Sequence, residues 1–209
     1  MSHFALSDVM LAVMDKTLLF GLAALILNVI GYVPYIREIL AGVVKPQRVT
    51  WVIWSILSLI AFVNQIINGG GYSIFFVGST FALTSTVFAL SIFKGVGGAS
   101  KFDLGILAAV SLLAIAWIGF RESYYSTLFV VMIDCLAALP TLVKAYLKPQ
   151  TEAYFQWVTS GIGGLFGIIS LPMLNFILIV YPLYIAIMNG LIVGAKFVGT
   201  GRGHAKVKA

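Results

Sequence analysis

The segment Asn28-Val-Ile-Gly-Tyr-Val-Pro34, followed by Lys45-Pro46-Gln47, has a counterpart in the second half of the chain. The counterpart is Asp134-Cys-Leu-Ala-Ala-Leu-Pro140, followed by Lys148-Pro149-Gln150. In each copy a polar residue stands six positions before a proline, and a Lys-Pro-Gln turn comes next. A tryptophan lies eight residues after the proline of each turn, at Trp54 and at Trp157. The chain therefore contains an internal repeat, which bears on the fold before any other feature does.

The composition places the repeat in a membrane protein. Of 209 residues, 61% are hydrophobic and 10% are charged, and the mean hydropathy is +1.06. Soluble domains have about 25% charged residues and about 45–50% apolar ones even with glycine counted. These values exclude a soluble globular protein, a disordered chain and a nucleic-acid-binding domain.

Seven apolar segments are long enough to be membrane spans, for which about 20 residues are needed. They are residues 17–36, 49–68, 72–93, 104–120, 124–145, 154–171 and 174–197. Spans 1–3 (17–93) and spans 5–7 (124–197) form two three-helix units, and span 4 (104–120) joins them. One joining helix makes the two units run in the same direction, as a parallel repeat. The predicted fold is an all-α integral membrane protein with seven transmembrane helices, flanked by tails at 1–16 and 198–209.

The distribution of basic residues predicts the orientation. With the N-terminus outside and the C-terminus in the cytoplasm, Lys16 and Arg121 are the only two of the 13 lysines and arginines outside. This matches the positive-inside rule and explains the net charge of +6 without a nucleic-acid partner. We expect the first tail to lie amphipathically on the membrane surface. The second tail is expected to be disordered and drawn to anionic lipid.

The repeated helix proline, the two Pro-Gln turns and the three-plus-one-plus-three arrangement resemble the PQ-loop superfamily over residues 17–197. That superfamily includes SWEET sugar transporters, cystinosin-like lysosomal amino-acid exporters and the KDEL receptors. The resemblance implies a transporter that alternates about its helix prolines, with the N-terminus outside. The pair Trp51 and Trp54, just after a basic residue, is most similar to small bacterial PQ-loop proteins of unassigned role. We therefore expect a bacterial inner membrane.

The sharpest candidate site residue is Asp134, which lies near mid-depth of the fifth span. A carboxylate there is costly, so it should face a cavity or a partner. No basic residue lies at matching depth, which makes Asp134 a candidate for proton coupling; the alternative is a protonated side chain that only bonds a neighbouring helix. Asn28, its repeat partner, is expected to face it across the cavity or else to bond between helices. Pro34 and Pro140 each remove a backbone hydrogen bond and are candidate hinges, or static kinks.

Further candidates come from the repeat and from the third and seventh spans. Trp54 and Trp157 are expected to wall the cavity, whereas Trp51 and Tyr154 are expected in the interfacial aromatic belt. SWEET-type sites pair an asparagine of the third span with one of the seventh; here the third span offers hydroxyls instead, which argues against a sugar. The remaining candidates for substrate binding are Thr84, Tyr181 and Asn189. We expect Pro46-Gln47 and Pro149-Gln150 to shape the turns and helix starts.

The leading hypothesis is a secondary transporter or facilitator of a small polar or aromatic solute, proton-coupled if Asp134 titrates. The second is a receptor, an adaptor or an accessory subunit of a larger membrane complex; its partner would be a second copy or another membrane protein. An enzyme is not expected, because the spans hold no paired carboxylates, no histidine and no activated nucleophile. The single cysteine, Cys135, and the two histidines in opposite tails predict neither a metal site nor a cofactor.

Overall fold

The fold is built of helices. The computed structural model describes the backbone of residues 2–98, 100–118 and 123–207, and the side chains of residues 16–98, 100–115, 124–125 and 127–202. Within these ranges the elements are α1 (Ser2–Leu40), α2 (Arg48–Ile67), α3 (Ser73–Lys94), α4 (Lys101–Ile118), α5 (Ser123–Leu147), a 3-10 turn (Pro149–Thr151), α6 (Phe155–Ile169) and α7 (Phe176–Val207).

Five of these helices contain segments long and apolar enough to cross a membrane: Lys16–Leu40, Arg48–Ile67, Ser73–Lys94, Thr127–Leu147 and Phe176–Arg202. Helix α6 has 15 residues and spans about 22 Å, less than a hydrocarbon core of about 30 Å. Every described helix turns large apolar side chains outward, as lipid contact requires; examples are Leu19, Ile56, Phe93, Ile115, Met132, Leu165 and Ile187. The prediction of a helical membrane protein is confirmed at this level.

The helices pack in an order that repeats in the two halves. Helix α3 packs against both α1 and α2, and α7 packs in the same way against both α5 and α6. The halves meet where α1 packs against α6 and where α2 packs against α5. These contacts close six helices into a ring. Helix α4 lies outside the ring, where Ile106 and Val110 pack over the seam between α2 and α5.

Both Pro-Gln turns lie at one end of the ring, which we call the Pro-Gln end. Gln47, before α2, bonds Asp103 at the start of α4, and Lys144 near the end of α5 bonds the carbonyl of Lys45. Lys196, in the second half of α7, bonds the carbonyl of Pro149. Helices α1, α3, α5 and α7 therefore run toward this end, and α2, α4 and α6 start from it.

The two predicted tails are parts of helices. Helix α1 is continuous from Ser2, so residues 2–16 do not form a separate element, and the side chains of residues 1–15 lie outside the described residues. Helix α7 continues to Val207, so the prediction of a disordered C-terminal segment is wrong up to that residue. The end of α7 has a packing partner there: a Cβ on Gly199 would lie 2.2 Å from the carbonyl oxygen of Tyr146. Residues 208 and 209 lie outside the described residues.

Candidate functional site

A narrow cavity of about 40 Å³ lies inside the ring. Six of the seven predicted substrate-binding residues line it: Trp54, Thr84, Asp134, Trp157, Tyr181 and Asn189. Since one water needs about 10–15 Å³ on this measure, the cavity has room for roughly three waters. In this conformation it is too small to enclose a whole sugar or amino acid.

Asp134 supplies the carboxyl group of this cavity. Its side chain is 3% exposed, and its Oδ1 accepts a hydrogen bond of 2.9 Å from the Tyr184 hydroxyl. The Trp54 side chain approaches the same carboxyl group as a second donor. Among the cavity-lining residues that the structure describes, Asp134 alone carries a formal charge. Its carboxyl group is therefore met by hydrogen bonds from neutral donors, with no countercharge among the described residues of the lining.

Asn28, the seventh predicted residue, lies behind the cavity wall and not in the lining. Its Nδ2 donates to Ser79 Oγ and to Thr80 Oγ1, both at 2.9 Å, and its Oδ1 accepts from Ser160 Oγ at 2.7 Å. Both the nitrogen and the oxygen of the amide are therefore hydrogen-bonded, by side chains of α3 and α6. In this conformation Asn28 therefore joins α1 to the helices on either side of it.

A cluster of five rings bounds the cavity toward the Pro-Gln end. We call Tyr32, Tyr35, Trp51, Trp54 and Trp157 the aromatic layer. Neighbouring ring centroids in it lie 5.3–6.3 Å apart, mostly edge to face, which is the favourable range for aromatic pairs. The layer draws rings from α1, α2 and α6, so it also spans one of the two seams between the halves.

The aromatic layer corrects one expectation. Trp51 is fully buried and does not lie in an interfacial belt, because its face of α2 is covered by Tyr35 of α1 and by Trp157 of α6. Tyr154, its repeat counterpart, is 38% exposed at the start of α6, with the Lys196 ammonium 4.5 Å from its ring centroid. Sequence spacing places both residues near the starts of their helices but does not reveal which face another helix covers.

A buried ion pair backs the aromatic layer at the Pro-Gln end. Lys144 pairs with Glu152, and the other Glu152 oxygen accepts a 3.0 Å hydrogen bond from the Trp157 indole. Lys196 donates to the carbonyls of Pro149 and Glu152. Trp157 is therefore held by α5, α7 and the 3-10 turn together.

Comparison of this chain with protein-family models, with curated proteins and with solved structures found no match.

The two Pro-Gln turns are built differently. Gln47 is buried, caps α2 by accepting from the Val49 amide at 2.8 Å, and donates to Asp103 at 2.6 Å. Gln150 is exposed in the 3-10 turn. Gly97 has a φ of 77°, in the left-handed region, and a Cβ there would lie 2.1 Å from the Gln47 amide nitrogen. Pro46-Gln47 thus shapes the turn and the helix start.

Three prolines lie inside described helices of the ring: Pro34 in α1, Pro140 in α5 and Pro182 in α7. Near Pro140, the Thr50 hydroxyl of α2 bonds the carbonyl of Ala137 at 2.7 Å. Pro182 leaves the carbonyl of Leu178 without its helical donor, and Gln65 of α2 donates to it at 3.1 Å. Side chains from neighbouring helices therefore take up backbone carbonyls near two of the three prolines.

Tyr181 bounds the cavity on the side away from the Pro-Gln end. It lines the central cavity and also a second cavity of about 20 Å³, which Gln65 and Thr127 line as well. The Tyr181 side chain is thus the partition between the two spaces. Tyr181 and the aromatic layer thus lie at opposite ends of the central cavity.

Sequence reasoning missed Tyr32, Gln156, Ser160 and Pro182. Tyr32 stands two residues before the predicted hinge Pro34, and Gln156 stands beside Trp157. Their closeness in sequence to candidate residues was therefore a signal that could have identified them. Pro182 is visible as a proline inside the seventh span, but the third span has no proline to match it. Because Pro182 has no counterpart in the first unit, comparison of the two repeat units does not single it out.

Proposed function

We propose that this protein is a secondary transporter or facilitator of a small solute that works by alternating access. The observation that carries the proposal is the narrow polar cavity lined by helices of both halves, three of which (α1, α5 and α7) contain a proline. A cavity lined by both repeated halves fits the binding site of such a cycle, which opens to either side as the halves rearrange. The prolines supply places where α1, α5 and α7 bend to open one side or the other.

The finer features of the proposal follow from the sequence. Residues 17–93 and 124–197 form the two parallel units of a seven-span, PQ-loop-like fold, and α4 joins them. The Pro-Gln end faces the cytoplasm of a bacterial inner membrane, since it gathers most lysines and arginines. Asp134 is the group that we propose for proton coupling. Trp54, Thr84, Trp157, Tyr181 and Asn189 are the proposed solute contacts, and Asn28 supports them from behind the wall.

Alternating access is testable before the solute is known. Thr84 lines the cavity, whereas Thr86, two residues along α3, is exposed on its outer face. We replace each by cysteine in a Cys135→Ala background and treat oriented membrane vesicles with a membrane-impermeant thiol reagent from either side. We expect Thr84→Cys to react from both sides, because the cavity opens to each side in turn. Thr86→Cys should resist the reagent, because it faces lipid.

Two results would contradict the proposal. Reaction of Thr84→Cys from one side only would describe a pocket that opens in one direction, as in a receptor. Failure to react from either side, with correctly folded protein, would describe a static core. Circular dichroism and gel filtration of each variant establish that folding is intact.

A receptor, adaptor or accessory subunit is the second candidate, and one observation favours it. Gly190 and Gly194 lie on the outer face of α7, where an added Cβ would meet nothing within 4 Å. Small residues spaced in this way permit close approach of another transmembrane helix. Replacing both by leucine should dissociate such a complex in mild detergent, whereas Gly105→Leu, on an equally open site of α4, should not. An unchanged particle mass in both variants would remove this candidate.

A further inference from the structure

The central cavity is rich in hydrogen-bond acceptors that have no donor. The Oε1 atom of Gln156 and the Oδ1 atom of Asn189 are buried and unpartnered among the described residues. Both residues line the same cavity as Asp134 and are at least 94% buried. A buried acceptor left unpaired destabilises the fold, so two such oxygens beside a carboxyl group in one small space call for a donor.

The other hydrogen-bond partners of each side-chain amide show which of its two end atoms is the oxygen and which is the nitrogen. Asn189 Nδ2 lies 2.7 Å from the carbonyl of Ile185, which only accepts, so the opposite atom is the oxygen. Gln156 Nε2 donates to Ser160 Oγ at 3.4 Å, and Ser160 gives its proton to Asn28. Asn28 in turn donates to Thr80. This chain of donors runs in one direction and leaves the Gln156 oxygen as a free acceptor in the cavity.

Three hydroxyl groups of the lining already give their protons to other acceptors. Thr80 Oγ1 donates to the carbonyl of Phe76 at 2.9 Å, and Thr84 Oγ1 donates to the carbonyl of Thr80 at 2.8 Å. The Tyr184 hydroxyl is already used by Asp134. These three side chains offer the cavity lone pairs and not protons, so the cavity suits a ligand that brings its own donors.

The charge and the walls of the cavity favour a cation. Five aromatic side chains line it: Tyr32, Trp54, Trp157, Tyr181 and Tyr184. Aromatic faces attract ammonium groups, more strongly where water is excluded. The described lysines Lys144 and Lys196 lie beyond the aromatic layer and are engaged by Glu152 and by backbone carbonyls. The Asp134 carboxyl group therefore has no protein countercharge among the described residues of the cavity.

We infer that the cavity binds the primary ammonium group of a small organic amine, with Asp134, Gln156 and Asn189 as acceptors for its three N–H donors. The inference rests on the proposed transport function and names its solute class. A quaternary ammonium group lacks the donors that the two amide oxygens require. An alkali-metal ion would use the oxygens but not the aromatic walls. The volume of about 40 Å³ admits the ammonium head, and the rest of the amine enters as the two halves rearrange.

The test compares four compounds on the purified full-length protein near neutral pH, at equal concentration and ionic strength. They are n-butylammonium chloride, 1-butanol, tetramethylammonium chloride and sodium chloride. We expect n-butylammonium to raise the thermal unfolding midpoint, with a half-effect concentration about tenfold lower than that of tetramethylammonium. Butanol and sodium chloride should leave the midpoint unchanged. An equal shift with any of the other three compounds, or no shift with butylammonium, overturns the inference.

Variants of the protein show whether the shift in the unfolding midpoint arises from binding in the cavity. Asp134→Asn should abolish the shift, and Asn189→Ala should weaken it about tenfold by removing one acceptor. Glu38→Gln removes a carboxylate outside the cavity and should keep the full shift. If Asp134→Asn unfolds, protection of Thr84→Cys from thiol labelling by n-butylammonium decides the point. A shift that survives in folded Asp134→Asn, or no protection of Thr84→Cys, also overturns the inference.

The two proposals fail in different ways. If Thr84→Cys reacts from both sides but butylammonium neither stabilises nor protects, transport stands and the amine specificity falls. If butylammonium binds through Asp134 but Thr84→Cys reacts from one side only, the amine site stands and alternating access falls.

Discussion

Lys144 and Glu152 show how much a single residue contributes when it is buried. Both side chains are more than 90% buried, and the pair holds the Trp157 indole in place. Removing one member of a buried ion pair leaves an uncompensated charge, which costs about 3–5 kcal/mol.

We therefore predict that Lys144→Met lowers the unfolding free energy by about 3 kcal/mol. Denaturant titration in mixed micelles measures it. The control is Lys148→Met, because Lys148 is exposed four residues further along the chain; it should change stability by less than about 0.5 kcal/mol. Similar losses in the two variants would show that burial of the pair does not matter.

At the scale of elements, α7 depends on α2 for one of its backbone hydrogen bonds. Gln65 donates to the Leu178 carbonyl that Pro182 leaves without a helical donor. We predict that Gln65→Leu costs about 1–2 kcal/mol in the native chain. In a Pro182→Ala background the cost should fall by about half or more, because the backbone N–H that this substitution introduces then serves the Leu178 carbonyl.

A double-mutant cycle measures this coupling by thermal or denaturant unfolding. Gln150→Leu is the control, because Gln150 is exposed and should show no coupling to Pro182. An equal cost of Gln65→Leu in both backgrounds would mean that the Gln65 bond is unrelated to the proline.

The start of α4 is a second element-scale case, and it depends on pH. Burial alone would raise the pKa of Asp103, but hydrogen bonds from Ser100, from the Gly98 amide and from Gln47 lower it below its ordinary value of 3.8. The folded protein thus favours the charged form. Stabilisation is complete above about pH 4 and is lost as the pH falls through the lowered pKa.

We predict that Asp103→Asn lowers the unfolding midpoint at neutral pH. The gap between the native chain and the variant should narrow as the pH falls below about 4 and through the lowered pKa of Asp103, because the carboxylate is then progressively lost. Unfolding midpoints measured from pH 7 down to about pH 3 check this. A gap that stays constant across that range would contradict it.

At the scale of the whole molecule, the two halves hold each other through the seams of the ring. At one seam, a Cβ on Gly31 of α1 would lie 1.9 Å from Thr159 Oγ1 of α6, so the helices touch closely there. We predict that a chain divided between α4 and α5 reassembles when both parts are expressed together. A tag on one part should recover the other in detergent.

Gly31→Leu should reduce that recovery about tenfold, because overpacking keeps α1 away from α6. Gly190→Leu, at an open helix position, should leave recovery unchanged. Equal recovery with both variants would mean that the seam at Gly31 does not hold the halves together.

Much of the fold was predictable because helices in a membrane form from local pattern. The predicted spans agree with the observed helices to within a few residues at most ends, because backbone groups in lipid must bond within their own segment. The errors lie where a neighbour decides the outcome. Trp51 is buried by rings from other helices, and α7 runs past its predicted end along Tyr146.

The cavity was predictable only in part, for a related reason. Repeat positions and polar type singled out Trp54, Asp134 and Trp157, which do line it. They also singled out Asn28, whose amide is used by Thr80 and Ser160 instead. Whether a polar side chain faces a space or a partner depends on helices distant in the sequence.

The amino-acid sequence alone determined the membrane class, the helical segments, the internal repeat and the prolines, because each follows from hydrophobicity and local backbone chemistry. Tertiary structure alone decided the closing of six helices into a ring, the aromatic layer and the Lys144–Glu152 pair. It also decided which amide oxygens stay unpaired beside Asp134. Those features depend on how side chains from separate helices meet, and hydrogen bonds and close packing act only over the few ångströms that folding brings together.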